Sequence, residues 1–216
     1  MTNPYNQNLD QNPANHQPLT PLTFLERAAS VFPDQVAIIH GDLRQNYLNL
    51  YTRSVKLSSA LNKAGIKRGD TVSALLPNTP AMLECHYGVP MSGAILHSIN
   101  TRLDPAVISF QLNHAESKIM IVDSEYIALA KEALKHTKNK PKIIEYDDIE
   151  YIGKREKFKS INYDDFLNEG DETFEWLMPE DEWDAISINY TSGTTGDPKG
   201  VVTHHRGAYL LAQGNA

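Results

Sequence analysis

Short apolar runs alternate with helix-patterned stretches of roughly ten to fifteen residues for about a hundred residues after Pro21, and few folds accept that alternation. Phe24, Leu25, Ala28, Ala29 and Phe32 recur at helical spacing. Val36 to Ile39 reads as a strand, His40-Gly41-Asp42 as a turn, and Leu43 to Tyr47 as the next extended piece. Asn49 is placed to cap a helix in which Tyr51, Val55, Ser58 and Leu61 share a face, and Gly65 stands where a helix ends in a left-handed residue. A turn at Arg68-Gly69-Asp70 leads into a buried-type strand from Thr71 to Leu76, then a helix from about Pro80 to near Gly93. "AILHSIN" is another strand, Asp104-Pro105 opens a helix through His114, and "KIMIVD" is the strand after it. Strands joined by crossover helices pair in parallel, so the expected class is α/β: a mostly parallel sheet flanked by helices on both faces. Such sheets bind ligands at the carboxyl ends of their strands.

The first twenty residues differ in kind. Eleven of them are Asn, Gln or Pro. Ordering them would cost chain entropy with little burial to offset it, so residues 1–20 are expected to form a disordered tail and residues 21–216 the folded part. With a formal net charge of −7, no global basic field attracts nucleic acid, and no apolar run is long enough to span a membrane. Cys85 is the only cysteine, which excludes an internal disulfide and, without a leader-like N-terminus, suggests a cytoplasmic protein. Between Asp147 and Asp184 the chain turns polar. Eight acids from Glu169 to Asp184 lack the alternating ligand spacing and the glycine of a calcium loop, and they read as solvated charge rather than a cation site.

Ala185, Ile186, Ile188 and Tyr190 then restore a strand, which runs into "YTSGTTGDPKG", Tyr190 to Gly200. Glycines at 193, 196 and 200 let backbone N–H groups approach a ligand closely, and adjacent amides in such turns form concave anion sites. Thr191, Ser192, Thr194 and Thr195 add hydroxyls, and Lys199 adds a mobile positive charge after Pro198. That inventory suits a polyphosphate. A Gly- and Thr-rich hairpin is the alternative, and the strand in front with the lysine behind favours phosphate. Two other phosphate loops fail on spacing. The kinase-type loop needs G-x-x-x-x-G-K-[ST], whereas Lys199 here follows Gly196 by three residues and precedes Gly200; the dinucleotide fingerprint G-x-G-x-x-G is absent too.

Tyr190 to Val201 resembles, along its whole length, the phosphate loop of the adenylate-forming enzymes: acyl-CoA synthetases, aryl-CoA ligases, luciferases and peptide-synthetase adenylation domains. "AGIKRGDTVSALLPNTPAMLECHYGVPMSGAILHSINTRLD" is similar to a second landmark of that superfamily. "DEWDAISINYTSGTTGDPKGVVTHHRGAYLLAQGNA" is similar to a narrower group, the medium-chain and 3-methylmercaptopropionate CoA ligases. The resemblance implies a large N-terminal domain of two stacked α/β sheets plus a small barrel, followed by a mobile C-terminal domain. It further implies two steps: a carboxylate and ATP give an acyl-adenylate and pyrophosphate, and CoA then displaces AMP. ATP, Mg²⁺ and CoA are the implied cofactors and co-substrates, and a medium-chain or short thio-substituted acid the implied substrate. Thr191, Ser192, Gly193, Thr194, Thr195, Gly196 and Lys199 would hold the ATP phosphates, with Thr191 a candidate Mg²⁺ ligand. The acyl pocket, the Mg²⁺-sharing glutamate, the adenine site and the C-terminal lysine would lie outside these 216 residues, which alone are expected to be inactive and to expose apolar surface. A stand-alone nucleotide-binding or interaction protein, and an aryl- or amino-acid-adenylating enzyme, are the competing expectations; oligomeric state is left open.

Other residues read as structural. His204 and His205 are adjacent, so on an extended chain they face opposite ways and cannot chelate one ion together. His86 and His97 read as packed or edge residues, and Cys85 as a small buried one. Negative charge grows on pyrophosphate as the carboxylate attacks, so Lys199→Ala in the complete protein should slow adenylate formation by roughly 10²–10³, read by ATP–pyrophosphate exchange.

Overall fold

The structure is a computed structural model and describes residues 3–138, 140–191 and 197–215. Helix α1 (Leu22–Val31) precedes an antiparallel hairpin of β1 (Val36–His40) and β2 (Leu43–Asn46). Helix α2 (Tyr47–Lys63) follows. Its cap is Asn46, whose side chain accepts from the Asn49 N–H at 2.8 Å, so the helix starts earlier than a cap at Asn49 would have it. Both residues are asparagines three apart; the one with extended backbone takes the capping role. Gly65, at φ +91°, then turns the chain out of α2 as expected.

From there strand and helix alternate: β3 (Thr71–Leu75), α3 (Pro80–Met91), β4 (Ile95–Ser98), α4 (Pro105–His114), β5 (Ile119–Asp123), α5 (Ile127–Lys135), β6 (Lys142–Tyr146), β7 (Ile161–Asn162), α6 (Tyr163–Asn168), β8 (Ala185–Tyr190), β9 (Gly200–His204) and α7 (His205–Gly214). Seven strands form one sheet in the order β7-β6-β5-β3-β4-β8-β9, parallel throughout except for the antiparallel β8–β9 pair. Strand β3 lies between β4 and β5, so the chain crosses back over β3 after α4. This is the place where an α/β sheet opens a crevice at its carboxyl edge.

Alternate residues of each central strand feed opposite cores. Val72, Ala74, Leu96, Ile121 and Ile144 pack against Leu57, Leu61, Cys85, Val89 and Phe166 of α2, α3 and α6. Leu75, Met120 and Val122 pack on the other face against Ile108, Leu112, Ile127 and Leu134 of α4 and α5. Each such aliphatic side chain contributes about 1.5–3 kcal/mol by leaving water. The polar stretch after Asp147 is therefore not only a connection. Its helix α6 buries Tyr163, Phe166 and Leu167. Six of the eight acids between Glu169 and Asp184 are exposed, whereas Glu182 and Asp184 are half-buried and partnered: Glu182 accepts from Arg206 and from the Leu19 N–H, and Asp184 from the N–H groups of Glu180 and Asp181. Residues 3–17 are exposed, and the chain enters the interior at Thr20.

A buried carboxylate ties three helices together. Glu84 on α3 is fully buried, with one carboxylate oxygen 2.6 Å from Arg53 Nε and the other 2.9 Å from the Tyr163 hydroxyl. Arg53 reaches on to Asp164 at 2.8 Å, so α2, α3 and α6 are joined through one carboxylate. Removing only one partner of a buried pair strands the other charge. Arg53→Met should cost about 3 kcal/mol, at the low end for such a change because Tyr163 still serves Glu84, as measured by urea unfolding.

Candidate functional site

Strand β8 pairs in parallel with β4, Leu96 opposite Ser187 and His97 opposite Ile188, so its carboxyl end lies beside those of β3 and β4. There the three strand ends enclose a cleft of about 500 Å³. Asn78 follows β3, Ser98 to Thr101 come from the end of β4, Asn189 to Thr191 from the end of β8, and Gln111 reaches in from α4. No Lys, Arg, Asp, Glu or His is among the described lining residues. Hydroxyls and amides line it beside Leu76, Met82, Ile99 and Leu103, so it offers hydrogen bonds without charge.

The glycine-rich loop leaves the sheet at this cleft. Its two ends are tied together: the Thr191 N–H donates to the Lys199 carbonyl at 3.1 Å, and the Lys199 N–H approaches Thr191 Oγ1 at 3.4 Å. Tyr190 opposite Gly200 is the last pair of the β8–β9 ladder. The loop thus joins two antiparallel strands, and α7 begins only at the far end of β9, so the helix terminus that serves other phosphate loops is not next to it. Of the seven phosphate-site residues read from the sequence, Thr191 and Lys199 are brought together, both exposed; Ser192, Gly193, Thr194, Thr195 and Gly196 lie outside the described residues. Among the described residues the Lys199 ammonium makes no ion pair.

Tyr190 is held in place from α4. Its hydroxyl lies 2.7 Å from His114 Nδ1, and its ring meets His97 edge-on, centroids 5.1 Å apart. Asp104 caps α4 through the Val107 N–H at 3.0 Å, and Pro105 starts it, which sets Gln111 and His114 one turn apart on the side facing β4 and β8. His97 is completely buried, with Nδ1 2.8 Å from Ser73 Oγ and Nε2 3.3 Å from Gln111 Oε1; burial pushes its imidazole down to about 4. None of Asn78, Gln111 or His114 stands out in the sequence as a site residue. The position of each just past a strand, or on the helix behind it, was the available signal.

The remaining histidines and Cys85 sit apart. The chain is not extended through both His204 and His205: His204 ends β9, packs its ring tilted against Trp183 and caps α7 through the Gly207 N–H, while His205 is the first residue of α7 and bonds Thr20 Oγ1 at 2.8 Å. The helix start turns the two rings toward different partners. His205 is pushed down to about 4, mainly by burial. His86 is exposed at the surface of α3. Cys85 is fully buried, and burial with neighbouring Glu84 raises its thiol far above the range where a thiolate forms. At the end of β5, Asp123 is buried and held up to about 6; one oxygen accepts from the Glu125 N–H, and the other has no partner among the described residues.

Known proteins are similar to this chain. The family described as AMP-binding enzyme matches residues 25–215. The chain belongs to that family. It is 44% identical over 215 residues to the acetate–CoA ligase CCL3 of Humulus lupulus, covering 94% of this chain and 38% of that protein. It is 42% identical to the peroxisomal acetate/butyrate–CoA ligase AAE7 of Arabidopsis thaliana, again over 94% and 38%. Among solved structures, the anthranilate CoA ligase AuaEII in complex with anthranoyl-AMP superposes with a TM-score of 0.83 at 24% identity, over 93% of this chain and 37% of that one, a likeness of fold. The chain thus spans well under half the length of these relatives. Among the described residues no helix is long and apolar enough to cross a membrane.

The buried titratable groups give a pH signature. Folded His97 and His205 bind protons more weakly than their ordinary 6.5 allows, so unfolding takes up protons below about pH 6.5 and stability falls from there toward pH 4. Asp123 opposes them: it keeps its proton to about 6 while the unfolded carboxyl releases it near 3.8, so its contribution recovers as pH falls through the same window. His86 on α3 is lowered in the same direction by desolvation, so three imidazoles stand against one carboxyl and the net is a decline. Asp123→Asn should steepen that decline between pH 6 and 4.5 by up to about 1.4 kcal/mol per pH unit, read from urea midpoints.

Proposed function

We infer that the complete protein is an ATP-dependent acid–CoA ligase and that residues 21–216 belong to its N-terminal AMP-binding domain, preceded by a tail over residues 1–20. The observation that carries this reading is the loop Tyr190–Gly200, which leaves β8 at the carboxyl edge of the sheet in a member of the AMP-binding family. The carboxylate attacks the α-phosphorus of ATP to give an acyl-adenylate, pyrophosphate leaves, and the CoA thiol then displaces AMP to form the thioester. The loop's role belongs to the first step. Thr191, Ser192, Gly193, Thr194, Thr195, Gly196 and Lys199 would surround the β- and γ-phosphates, and donors fixed before the reaction stabilise charge as it develops. The exposed ammonium of Lys199, which makes no ion pair among the described residues, suits that use.

Magnesium would travel with the nucleotide. Among the described residues, Thr191 brings one neutral oxygen to the loop's base, and no group of three His, Cys, Asp or Glu is arranged to hold an ion. Magnesium generally keeps waters and substrate phosphates among its ligands, so one hydroxyl fits an ion carried mainly by ATP and by a carboxylate from elsewhere. Such an ion neutralises phosphate charge as pyrophosphate departs.

The names of the relatives centre on short acids, acetate and butyrate, with benzoate in a further peroxisomal ligase of Arabidopsis thaliana. We therefore place the substrate among short- to medium-chain aliphatic acids, thio-substituted ones included, and the protein in the cytoplasm or, as for several relatives, the peroxisome. Pyrophosphate exchange with the complete protein, using unbranched acids of graded length, 3-methylmercaptopropionate and benzoate, tests this. Exchange should peak with an aliphatic acid of short to medium chain. A peak with benzoate, or with an amino acid added to the same panel, would reassign the substrate class, and MgATP binding without exchange for any acid would favour a nucleotide-binding protein over an enzyme.

A further inference from the structure

A line of hydrogen bonds runs from the middle of the sheet to the cleft. Ser117 Oγ and Ser73 Oγ are 2.5 Å apart, Ser73 Oγ is 2.8 Å from His97 Nδ1, and His97 Nε2 is 3.3 Å from Gln111 Oε1. All four side chains are buried. The carbonyl oxygen of Gln111 can only accept, so the hydrogen of the His97 ring sits on Nε2. Nδ1 is then an acceptor and takes the Ser73 hydroxyl hydrogen, and Ser73 in turn accepts from Ser117. Every member of the line is left with a single orientation.

The far end of the line is what matters for the site. With its oxygen committed to His97, Gln111 keeps its NH₂ group unpaired among the described residues, in a side chain that lines the same cleft as Thr191. We propose that Gln111 contacts substrate, donating a hydrogen bond from its amide to a neutral acceptor oxygen, and that His97 is the positioning residue that holds this amide nitrogen outward. The ligand group is a carbonyl or hydroxyl oxygen on the uncharged part of a substrate. A neutral donor in a cleft without charged lining residues matches a neutral acceptor, while anionic groups have Lys199 and the loop. Amide carbonyls of the CoA arm and sugar hydroxyls of ATP share this chemistry. His97 also touches the Tyr190 ring, so the same imidazole braces the residue from which the loop departs.

The proposal rests on the ligase reading, and its test separates the two. In the complete protein, Gln111→Leu should raise KM for one substrate about tenfold with kcat little changed, the upper range for loss of one neutral hydrogen bond. A rise for CoA assigns the acceptor to its amide arm, and a rise for ATP assigns it to the nucleoside. His97→Leu should reproduce that KM change along with a lower melting temperature. His97→Gln, which keeps an N–H donor toward Gln111, should return KM to within about threefold of the parent while remaining less stable. If Gln111→Leu leaves every KM within about twofold, or if the His97 variants change melting temperature alone, the proposal fails. Nitrogen-15 NMR of the histidine rings in the parent protein decides the orienting step without any turnover: hydrogen on Nε2 of His97 supports it, hydrogen on Nδ1 or on both nitrogens overturns it. Absence of pyrophosphate exchange in the parent would sink the ligase reading alone.

Discussion

The parallel pairing of β4 with β8 is the contact on which the site depends. Some forty residues separate β6 from β8, and in that interval the chain adds β7 and α6 at one edge and then returns across the sheet to pair beside β4. The register that results, His97 opposite Ile188, sets the end of β8 level with the ends of β3 and β4. Had β8 been placed next to β6 instead, the same loop would emerge away from Asn78, Asn100 and Gln111. The buried Glu84 group supports the return, because it fixes α6 against α2 and α3 before the chain reaches β8. Long-range pairing of this kind is slow to form and gains from elements already fixed in place.

Much of the fold was legible because local signals and tertiary packing agree. Asp104-Pro105, Gly65 and the apolar strands each carry a chemistry that admits one structure, and each does what its chemistry requires. Asn49 shows the limit: two asparagines three residues apart are equal as cap formers, and only the backbone conformation that β2 imposes at Asn46 decides between them. Helix α6 was hidden for a different reason. Its three buried residues, Tyr163, Phe166 and Leu167, make too short an apolar stripe to stand out within a charged stretch.

The site was legible where one segment supplies it and obscure where several do. Tyr190 to Gly200 is continuous, so its glycines, hydroxyls and lysine could be read together, although five of those residues are outside what the structure describes. The cleft is assembled from four places separated by up to about a hundred residues, and a lone glutamine on a helix has no pattern that marks it. His97 reads in the sequence as a packed histidine, and it is one; the partners on its two nitrogens, Ser73 and Gln111, come from a strand and a helix that only folding brings together. Buried polar groups in such a line must all be satisfied or the interior is weakened, which makes the line a source of orientation as well as of stability.

Strand β9 gives the sheet one long outer edge. Its partner side is bonded to β8, while among the described residues the other side faces no further strand of the sheet, and Val201 and Val202 are 51% and 58% exposed. An outer strand edge flanked by β-branched side chains is a template for strand addition; no lysine or proline stands within Gly200–His204 to blunt it, and the one register shift of the β8–β9 pair lies at its far end, between Ala185 and Ser187. Handled as an isolated polypeptide, the chain therefore carries a hazard of self-association two residues from the phosphate loop. A charged residue in place of Val202 or Val201 would be the gatekeeper that makes it tractable in solution.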